Sequence, residues 1–166
     1  EGKSVKLECD INLNGKEWTP IGSAVATAFA GSFDGNGFAI NNMKITTATN
    51  SCAALFGVVR GSGSFSNVTI NNAEVLCNVT SGETNFYGAG LVAQVYGSHN
   101  FEGITVKESK IQGSGKTGAI LGLNGDCAQE FHNCYVKNCV IESTNPEDGG
   151  NIGGMIGFLQ SVGGGN

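Results

Sequence analysis

The sequence has few of the residues and motifs that identify many classes of protein. It has only two prolines, Pro20 and Pro146, only two histidines, and charged residues make up only 14% of the chain. No stretch of about ten residues repeats its apolar side chains with the period of a helix, and no apolar run approaches the ~18–20 residues of a membrane span. Neither His-Glu-x-x-His nor Cys-x-x-Cys occurs. These absences argue against a helical fold, a membrane helix and the zinc sites that the two motifs build.

Charge gives no indication of a polyanionic partner. The formal net charge is −5, and the lysines and the arginine are scattered along the chain. A nucleic-acid-binding domain is expected to cluster its basic residues on one face. We therefore predict neither nucleic-acid binding nor attachment to an anionic membrane.

Glycine is abundant and falls between short apolar runs. There are 27 glycines in 166 residues, without the every-third-residue period of collagen. Between them Val, Ile, Thr, Asn and Phe dominate, which favours strands and turns over helices. The nearest helical candidate is Ala24–Ala30, which is short and has no stop signal.

Two patterns recur along the chain with one drifting period. The first is Phe-x-x-Ile-x-Val-x-x-x-x-Ile, and its aligned core positions, spaced 30, 36 and 30 residues apart, are Ile40, Ile70, Val106 and Val136. The second is a run of small, apolar and small residues, and its central positions, spaced 36, 29 and 35 apart, are Leu55, Leu91, Ile120 and Met155. Two independent patterns with the same spacing indicate a repeat protein.

A repeat of about 30 residues with short strands cannot bury its apolar side chains alone. Stacked in parallel, each repeat hydrogen-bonds the next at ~4.8 Å, and aligned side chains form continuous interior columns. We therefore predict one all-β domain over residues 1–166, a right-handed parallel β-helix with three short strands in each of about four to five turns. The interior positions of the second copy are predicted to be Leu55, Val68, Ile70, Ala73 and Val75.

Local signals refine this architecture. Val5, Leu7, Cys9, Ile11 and Leu13 alternate with polar residues and predict a half-buried strand that ends in an Asn14-Gly15 turn. Asn42, Asn72 and Asn138 occupy equivalent corners, where stacked asparagines can bond to one another and adopt a left-handed backbone. Trp18 is predicted to lie at a packed corner.

At these residues the chain resembles a known family. Trp18-Thr-Pro-Ile-Gly22, the Phe29–Gly37 segment with its Phe-Asp-Gly-Asn-Gly, and the recurring Gly-Leu-Val-Gly-like runs that end at Gly153–Gly157 are similar to GLUG-repeat proteins. Ala93 departs from the closing glycine of that pattern. The resemblance covers nearly the whole chain and implies a parallel β-helical region of a bacterial surface or secreted protein, such as an adhesin or the non-catalytic part of an IgA-cleaving metallopeptidase. It transfers no catalytic residue.

Several motifs match part of a known type of binding site but not the whole of it. Gly113-Ser-Gly-Lys-Thr117 is similar to the end of a phosphate-binding loop, but Lys110 stands where the leading glycine belongs and a strand-like run follows. His99 and His132 lie 33 residues apart and could stack near Glu102 and Glu130 as a zinc site, or be surface turn residues. Cys134 and Cys139 align with interior positions, which favours buried free thiols over zinc ligands, whereas Cys52 and Cys127 flank loops and could pair.

Three carboxylates are the remaining candidates for catalytic residues. Asp10, Glu17 and Asp34 could gather near the first repeat, as in β-helical enzymes that cut polysaccharides, but they also suit the capping of turns. Glu74, Glu108 and Lys110 are expected on a solvated face. Cation sites are conceivable in the loops at Asp34–Gly37 and Asn145–Asp148, although short acidic loops are usually turns.

The sequence thus predicts no catalytic residue, no metal and no cofactor. We expect a non-enzymatic extracellular module, either an adhesive surface or a spacer of a bacterial surface protein, and we interpret the chain as a mature product or a segment of something longer. Its expected partners are a host glycan or protein, adjoining domains, or a second copy end to end. The alternatives are a carbohydrate-active lyase or glycosidase and a self-associating structural or phage-appendage module.

Overall fold

The computed structural model describes residues 2–46, 52–77, 87–125, 127–144 and 150–160. In these ranges the chain forms short strands, together with one 3-10 helix at Val25–Thr27. The helix lies inside the predicted helical candidate, and the strand that begins at Phe29 limits it to one turn. Strand formation therefore dominates, as the β-branched and aromatic composition predicts.

The described strands group into one short repeat and four full ones. The first repeat contains β1 (Lys3–Lys6) and β2 (Ile11–Asn12). The second contains β3 (Phe29–Asp34), β4 (Ala39–Asn41), β5 (Lys44–Ile45), β6 (Cys52–Ala53) and β7 (Phe56–Arg60). The third contains β8 (Gly63–Ser66), β9 (Thr69–Asn71), β10 (Glu74–Cys77), β11 (Tyr87–Gly88) and β12 (Val92–Tyr96). The fourth contains β13 (His99–Glu102), β14 (Thr105–Lys107), β15 (Lys110–Gly113), β16 (Lys116–Gly118) and β17 (Leu121–Gly125). The fifth contains β18 (Gln129–His132), β19 (Tyr135–Lys137), β20 (Val140–Ser143), β21 (Ile152–Gly153) and β22 (Ile156–Leu159).

Every described strand pairs in parallel with its counterpart in a neighbouring repeat. One sheet runs β19-β14-β9-β4-β2, a second β20-β15-β10-β5 and a third β21-β16-β11-β6. The fourth and largest sheet runs β18-β13-β8-β3-β7-β12-β17-β22, with β1 paired to β3. β3 joins its two halves, because its first residues pair with β7 and its last residues pair with β8.

The predicted columns of core residues are confirmed. Parallel pairing places Ile11, Ile40, Ile70, Val106 and Val136 directly over one another. A second column, on the sheet of β5 and β10, contains Ile45, Val75, Ile111 and Ile141. These side chains are fully buried in the middle of the stack and half-buried in the fifth repeat. Burying each one contributes about 1.5–3 kcal/mol, a gain that is complete only where a repeat has neighbours on both sides.

Phenylalanines form a third column. Phe33, Phe65, Phe101 and Phe131 are paired in register, and Val5 precedes them in the first repeat. The rings of Phe101 and Phe131 are stacked and nearly parallel, with an interplanar angle of 8° and centroids 4.7 Å apart. The strands that carry these phenylalanines were not predicted, so the prediction of three strands per repeat is wrong. Each full repeat has five, because the chain bends at more places than the apolar pattern reveals.

Asparagines shape the corners. Asn42, Asn72 and Asn138 have positive φ angles between 52° and 58°, and Glu108, at the equivalent place in the fourth repeat, has a φ of 50°. The Asn72 amide donates to Asn42 Oδ1 at 2.6 Å, and the Asn138 amide donates to the Glu108 carboxylate at 2.7 Å. The predicted stacking of corner asparagines is thus confirmed. These bonds satisfy side chains whose backbone takes the left-handed turn that asparagine tolerates best.

The first repeat departs from its prediction in one respect. Val5 to Leu13 is not one strand, because β1 ends at Lys6 and β2 begins at Ile11. β1 pairs with β3 and β2 pairs with β4, two strands that lie on different sheets, so the chain must bend between them. The turn is found at Asn14 and Gly15, both with positive φ. Trp18 packs against the core and donates its indole N–H to the carbonyl of Leu55 at 3.2 Å.

Candidate functional site

The three carboxylates of the enzymatic alternative each bind the next repeat. Asp10 Oδ1 accepts the backbone N–H of Ala39 at 2.8 Å. Glu17 accepts both the backbone N–H of Thr46, at 3.0 Å, and the Thr46 hydroxyl. Each of these contacts joins residues 29 positions apart. The two carboxylates therefore fasten the short first repeat to the second, as side-chain caps of its corners.

Asp34 closes its own turn. Its Oδ1 accepts the backbone N–H of Asn36 at 2.8 Å, and the side chains of Ser66 and Asn67 also donate to it. Lys6 Nζ lies 3.8 Å from Oδ2. The Asn36 N–H lowers the pKa of Asp34 below the ordinary 3.8, with further lowering from Asn67, Lys6 and Ser66, against an opposing effect of burial. A carboxyl held ionised in this way is a poor proton donor near neutral pH.

The two histidines do not stack. His132 pairs in register with Glu102, whereas His99 pairs with Gln129. His132 is exposed, and its Nε2 lies 3.9 Å from Glu130. His99 is 3% exposed and is directed at the ring of Phe65, with ring centroids 6.0 Å apart. A zinc site shared by the two is therefore wrong, and within the described ranges no three His, Cys, Asp or Glu side chains are grouped as metal ligands.

His99 belongs to a polar cluster in which the corner that joins the third and fourth repeats contacts the corner that joins the fourth and fifth. Its Nδ1 lies 3.2 Å from the carbonyl of Gly97, and its backbone N–H donates to Gln129 Oε1. The Gln129 amide donates to the Gly97 carbonyl and to Asn124 Oδ1 at 2.8 and 3.0 Å. His99 Nε2 is buried without a hydrogen-bond partner among the described residues. Protonation would place a second N–H there without an acceptor, which is unfavourable.

We expect acid to destabilise the protein through His99. Burial lowers the pKa of His99, although the Gly97 carbonyl opposes this. The unfolded chain then binds the proton more tightly than the folded protein does. The contribution of His99 to the free energy of unfolding is therefore complete above about pH 6.5, the ordinary pKa of histidine in an unfolded chain. Below that pH the free energy of unfolding falls by up to about 1.4 kcal/mol per pH unit. Urea unfolding between pH 7.5 and 5 measures this loss. His99→Gln does not titrate and should flatten the profile over that range, and an unchanged slope in the variant would assign the loss to other groups.

Cys9, Cys127, Cys134 and Cys139 are free thiols, so the possible pairing of Cys52 with Cys127 is not formed. Cys134 and Cys139 are half-buried, and each lies within hydrogen-bond distance of two backbone carbonyls, one from its own corner and one from the preceding repeat. Burial raises the pKa of Cys134, and burial raises that of Cys77 to about 12. Thiols held protonated in this way are inert, which fits a packing role.

The segment that is similar to a phosphate-binding loop lies between strands. Gly113 ends β15, and Lys116 and Thr117 belong to β16. Thr117 is fully buried, and the Lys116 ammonium lies over the rings of Tyr87 and Phe158 at 5.4 and 5.2 Å. Since no helix follows, the backbone N–H groups that cradle phosphate are not presented. Of the two conceivable cation loops, Asn145–Asp148 lies outside the described residues.

The outward side of the sheet β19-β14-β9-β4-β2 carries polar columns that sequence reasoning did not single out. One column consists of Asn12, Asn41, Asn71, Lys107 and Lys137, and the neighbouring column consists of Ala39, Thr69, Thr105 and Tyr135. We call these two columns the polar face. The signal was present in the sequence, because the first column directly follows the core positions of the first recurring pattern. Its amides are linked, since Asn71 donates to Asn41 Oδ1 at 2.8 Å.

Of the predicted solvated face, Glu74 and Lys110 lie on the adjacent sheet, whereas Glu108 is exposed at the corner between β14 and β15. On that sheet the register aligns Glu17, Lys44, Glu74, Lys110 and Val140. In this column Lys44 lies between Glu17 and Glu74, and Lys110 lies between Glu74 and Val140. Alternating charges one strand apart attract modestly and stay hydrated. This column is therefore an electrostatically balanced surface.

Two known proteins are similar to this chain. A segment of it is 32% identical over 89 residues to halomucin of Haloquadratum walsbyi, a match that covers 54% of this chain and 1% of halomucin. No family model matches the sequence. A Bacteroides ovatus protein assigned as a candidate immunoglobulin A1 protease has a similar crystal structure, with a TM-score of 0.60 and 16% identity. That likeness covers 97% of this chain and 56% of the other.

These similarities concern the fold and a part of longer proteins. The chain spans little more than half of its structural neighbour and a very small part of halomucin. At 16% identity the structural likeness shows a shared arrangement of stacked parallel strands. The described residues also contain no helix with the length and hydrophobicity of a membrane span.

Proposed function

We propose that this chain is a right-handed parallel β-helical module that acts without catalysis, outside the cell, as an adhesive surface or a spacer within a larger bacterial surface protein. The observation that carries the proposal is the in-register parallel pairing of equivalent residues through successive repeats, such as Ile40, Ile70, Val106 and Val136. Such a stack is a rigid rod whose outer columns repeat at the strand spacing. A rod with repeating columns suits spacing and multivalent attachment.

The right-handed sense follows from a general preference. Connections between parallel strands of one sheet are right-handed in about 98% of cases, because a right-twisted strand packs its return path only that way. In this chain β9 and β14 belong to one sheet and are joined through β10, β11, β12 and β13. Each such return path makes one turn of the proposed helix.

Hydrogen bonding supports a non-enzymatic role. Asp10, Glu17 and Asp34 are the carboxylates of the lyase or glycosidase alternative, and each accepts backbone N–H groups that hold a corner. Glycoside chemistry instead requires a pair of carboxyl groups in different environments, one of them poised to donate a proton. The depressed pKa of Asp34 is opposite to what such a donor needs.

The relatives support an extracellular location. Mucins and proteases of immunoglobulin A1 both act outside the cell, and the two similarities bear those names. The proposed kinship to GLUG-repeat surface proteins rests on the sequence motifs alone, at Trp18–Gly22, Phe29–Gly37 and the Gly-Leu-Val-Gly-like runs, since no family model matches the chain. Host glycans or proteins are the partners of an adhesive surface.

The ends of the stack suit adjoining domains or a second copy. In the fifth repeat Phe131, Val136 and Ile141 are only half-buried, although their counterparts in the fourth are fully buried. An edge with unpaired backbone groups and half-buried apolar side chains favours a further strand layer. In a spacer, that layer would come from a neighbouring domain.

One assay tests the absence of catalysis. We expect the purified chain to release no new reducing ends from polygalacturonate or from neutral glucans over a day at pH 5, 7 and 8.5. Asp34→Ala is the matched variant, since three groups donate hydrogen bonds to the Asp34 carboxylate. Turnover by the natural chain that disappears in Asp34→Ala, while circular dichroism shows the variant folded, would replace this proposal with the carbohydrate-active alternative.

A further inference from the structure

The polar face contains a like-charge pair that the fold itself does not neutralise. Lys107 and Lys137 are direct partners in parallel strands β14 and β19. Like charges placed opposite one another in a sheet are destabilising. Among the described residues, ion pairs join Lys6 to Asp34 and His132 to Glu130, and neither Lys107 nor Lys137 takes part in one. The pair thus presents two positive charges on side chains whose backbones are one strand spacing apart, about 4.8 Å.

Nearby carboxylates are engaged with amides. Glu102 accepts from the Asn133 side chain and Glu108 accepts from the Asn138 side chain, both at 2.7 Å. Glu142 accepts from the Gln112 side chain at 2.8 Å. The acidic groups of the fourth and fifth repeats therefore hold corners and neighbouring strands together. The two lysines remain available to an external anion.

The contrast with the adjacent sheet is informative. There the same register alternates Glu17, Lys44, Glu74 and Lys110, so that opposite charges face one another. On the polar face the equivalent register instead places lysine over lysine. The two surfaces share one architecture and differ in charge order, which makes the lysine pair a local feature of one face.

The rest of the polar face suits a saccharide. Tyr135 is 50% exposed, and Lys137 Nζ lies 5.0 Å from the centre of its ring. The free side of such a ring can pack on the apolar face of a sugar while its hydroxyl stays in water. Thr69, Thr105, Asn41 and Asn71 continue the face with groups that can bond to sugar hydroxyls. Because the columns run along the stack, successive sugars would meet asparagine and threonine side chains in the second and third repeats and the lysine pair in the fourth and fifth.

We propose that the polar face binds a carboxylated polysaccharide, with Lys107 and Lys137 binding the uronate carboxylates and Tyr135 packing on a sugar ring. The inference rests on the proposed adhesive role and names its ligand class. A basic surface of two lysines in a chain of net charge −5 is too small for a nucleic acid, whose binding is dominated by many phosphate contacts. A chain of sugars with spaced carboxylates matches both the charged and the uncharged parts of the face.

Titration calorimetry on the whole chain tests this, with polygalacturonate as the probe and dextran as the uncharged control. Polygalacturonate should bind and dextran should not, and raising NaCl from 50 to 200 mM should weaken binding severalfold. Lys107→Gln combined with Lys137→Gln should lower the affinity at least tenfold. Because that change removes a like-charge pair, the melting temperature of the double variant should equal or exceed the natural one. Lys110→Gln, an equally placed lysine of the balanced column, should bind within twofold of the natural chain.

Each other outcome overturns the inference. These outcomes are no binding of polygalacturonate, equal binding of dextran, unaltered binding by the double variant, and tighter binding to duplex DNA or to phosphatidylserine vesicles at equal salt. None of these affects the proposed spacer role, which requires no ligand. Cleavage of polygalacturonate that depends on Asp34 would instead overturn the proposed function, so the two failures are distinguishable.

Discussion

Replacing Phe101 with alanine is expected to lower the free energy of unfolding by about 3–5 kcal/mol, the range for truncating a fully buried phenylalanine. The Phe101 side chain is 0% exposed. Its ring stacks on Phe65 at 5.4 Å and on Phe131 at 4.7 Å, so truncation leaves a cavity between two repeats. Urea unfolding followed by circular dichroism gives the change through the midpoint and the m value.

Phe131→Ala is the matched control for this prediction. Phe131 occupies the same column one repeat later, where it is only half-buried. Solvent can fill part of the space that its ring leaves, so we expect a loss of no more than about half that of Phe101→Ala. Equal losses for the two variants would contradict a column whose packing weakens toward the fifth repeat.

Gly97→Ala is expected to lower the free energy of unfolding by at least about 3 kcal/mol. Losses of this size arise from few mechanisms, and backbone strain is one of them. Gly97 has φ +97°, and a Cβ there would overlap the backbone of Gly61 in the preceding repeat. Its carbonyl also receives the Gln129 amide and faces His99 Nδ1. A shift of this corner would therefore separate two repeats and disturb the polar cluster around His99.

Gly61→Ala separates the two causes. Gly61 also has a positive φ, +81°, but a Cβ added there meets nothing within 4 Å. Gly61→Ala should therefore lower the free energy of unfolding only through the strain of a left-handed backbone, about 1–2 kcal/mol. The same unfolding experiment serves both variants. If the two glycines gave equal losses, close contact between the corners would not be what requires glycine at 97.

Much of the stacking was predictable because it depends on repetition. The spacing of Ile70, Val106 and Val136 predicted one column, and parallel pairing confirms it. Asn42 and Asn72 were predicted to stack at a corner, and their side chains are hydrogen-bonded. In a repeat protein each residue has the same neighbours as its counterpart, so alignment of the sequence with itself is already a contact prediction.

The division of each repeat into strands was less predictable. Alternation over Val5–Leu13 suits any extended chain, and only pairing with β3 and β4 shows where it bends. The strands through Phe65 and Phe101 were missed for the same reason. A strand ends where its hydrogen-bond partners change sheets, which is a property of the neighbouring repeat and not of the segment itself.

The candidate sites show the same limit. His99 and His132 have nearly the repeat spacing, yet a register difference of three residues places one in the core and the other at the surface. The bonds of Asp10 and Glu17 to the next repeat span 29 residues and leave no local mark. The lysine pair was visible in the alignment, since Lys107 and Lys137 both follow a core valine.

The equivalent residues, the parallel stack, its interior columns and its asparagine corners can all be derived from the spacing of the repeats. The number of strands in each repeat, the carboxylates bound to the next repeat and the charges that face one another across strands emerge only in the folded chain. Equivalence is repeated along the chain, whereas bends, caps and cross-strand partners depend on the register between repeats about 30 residues apart.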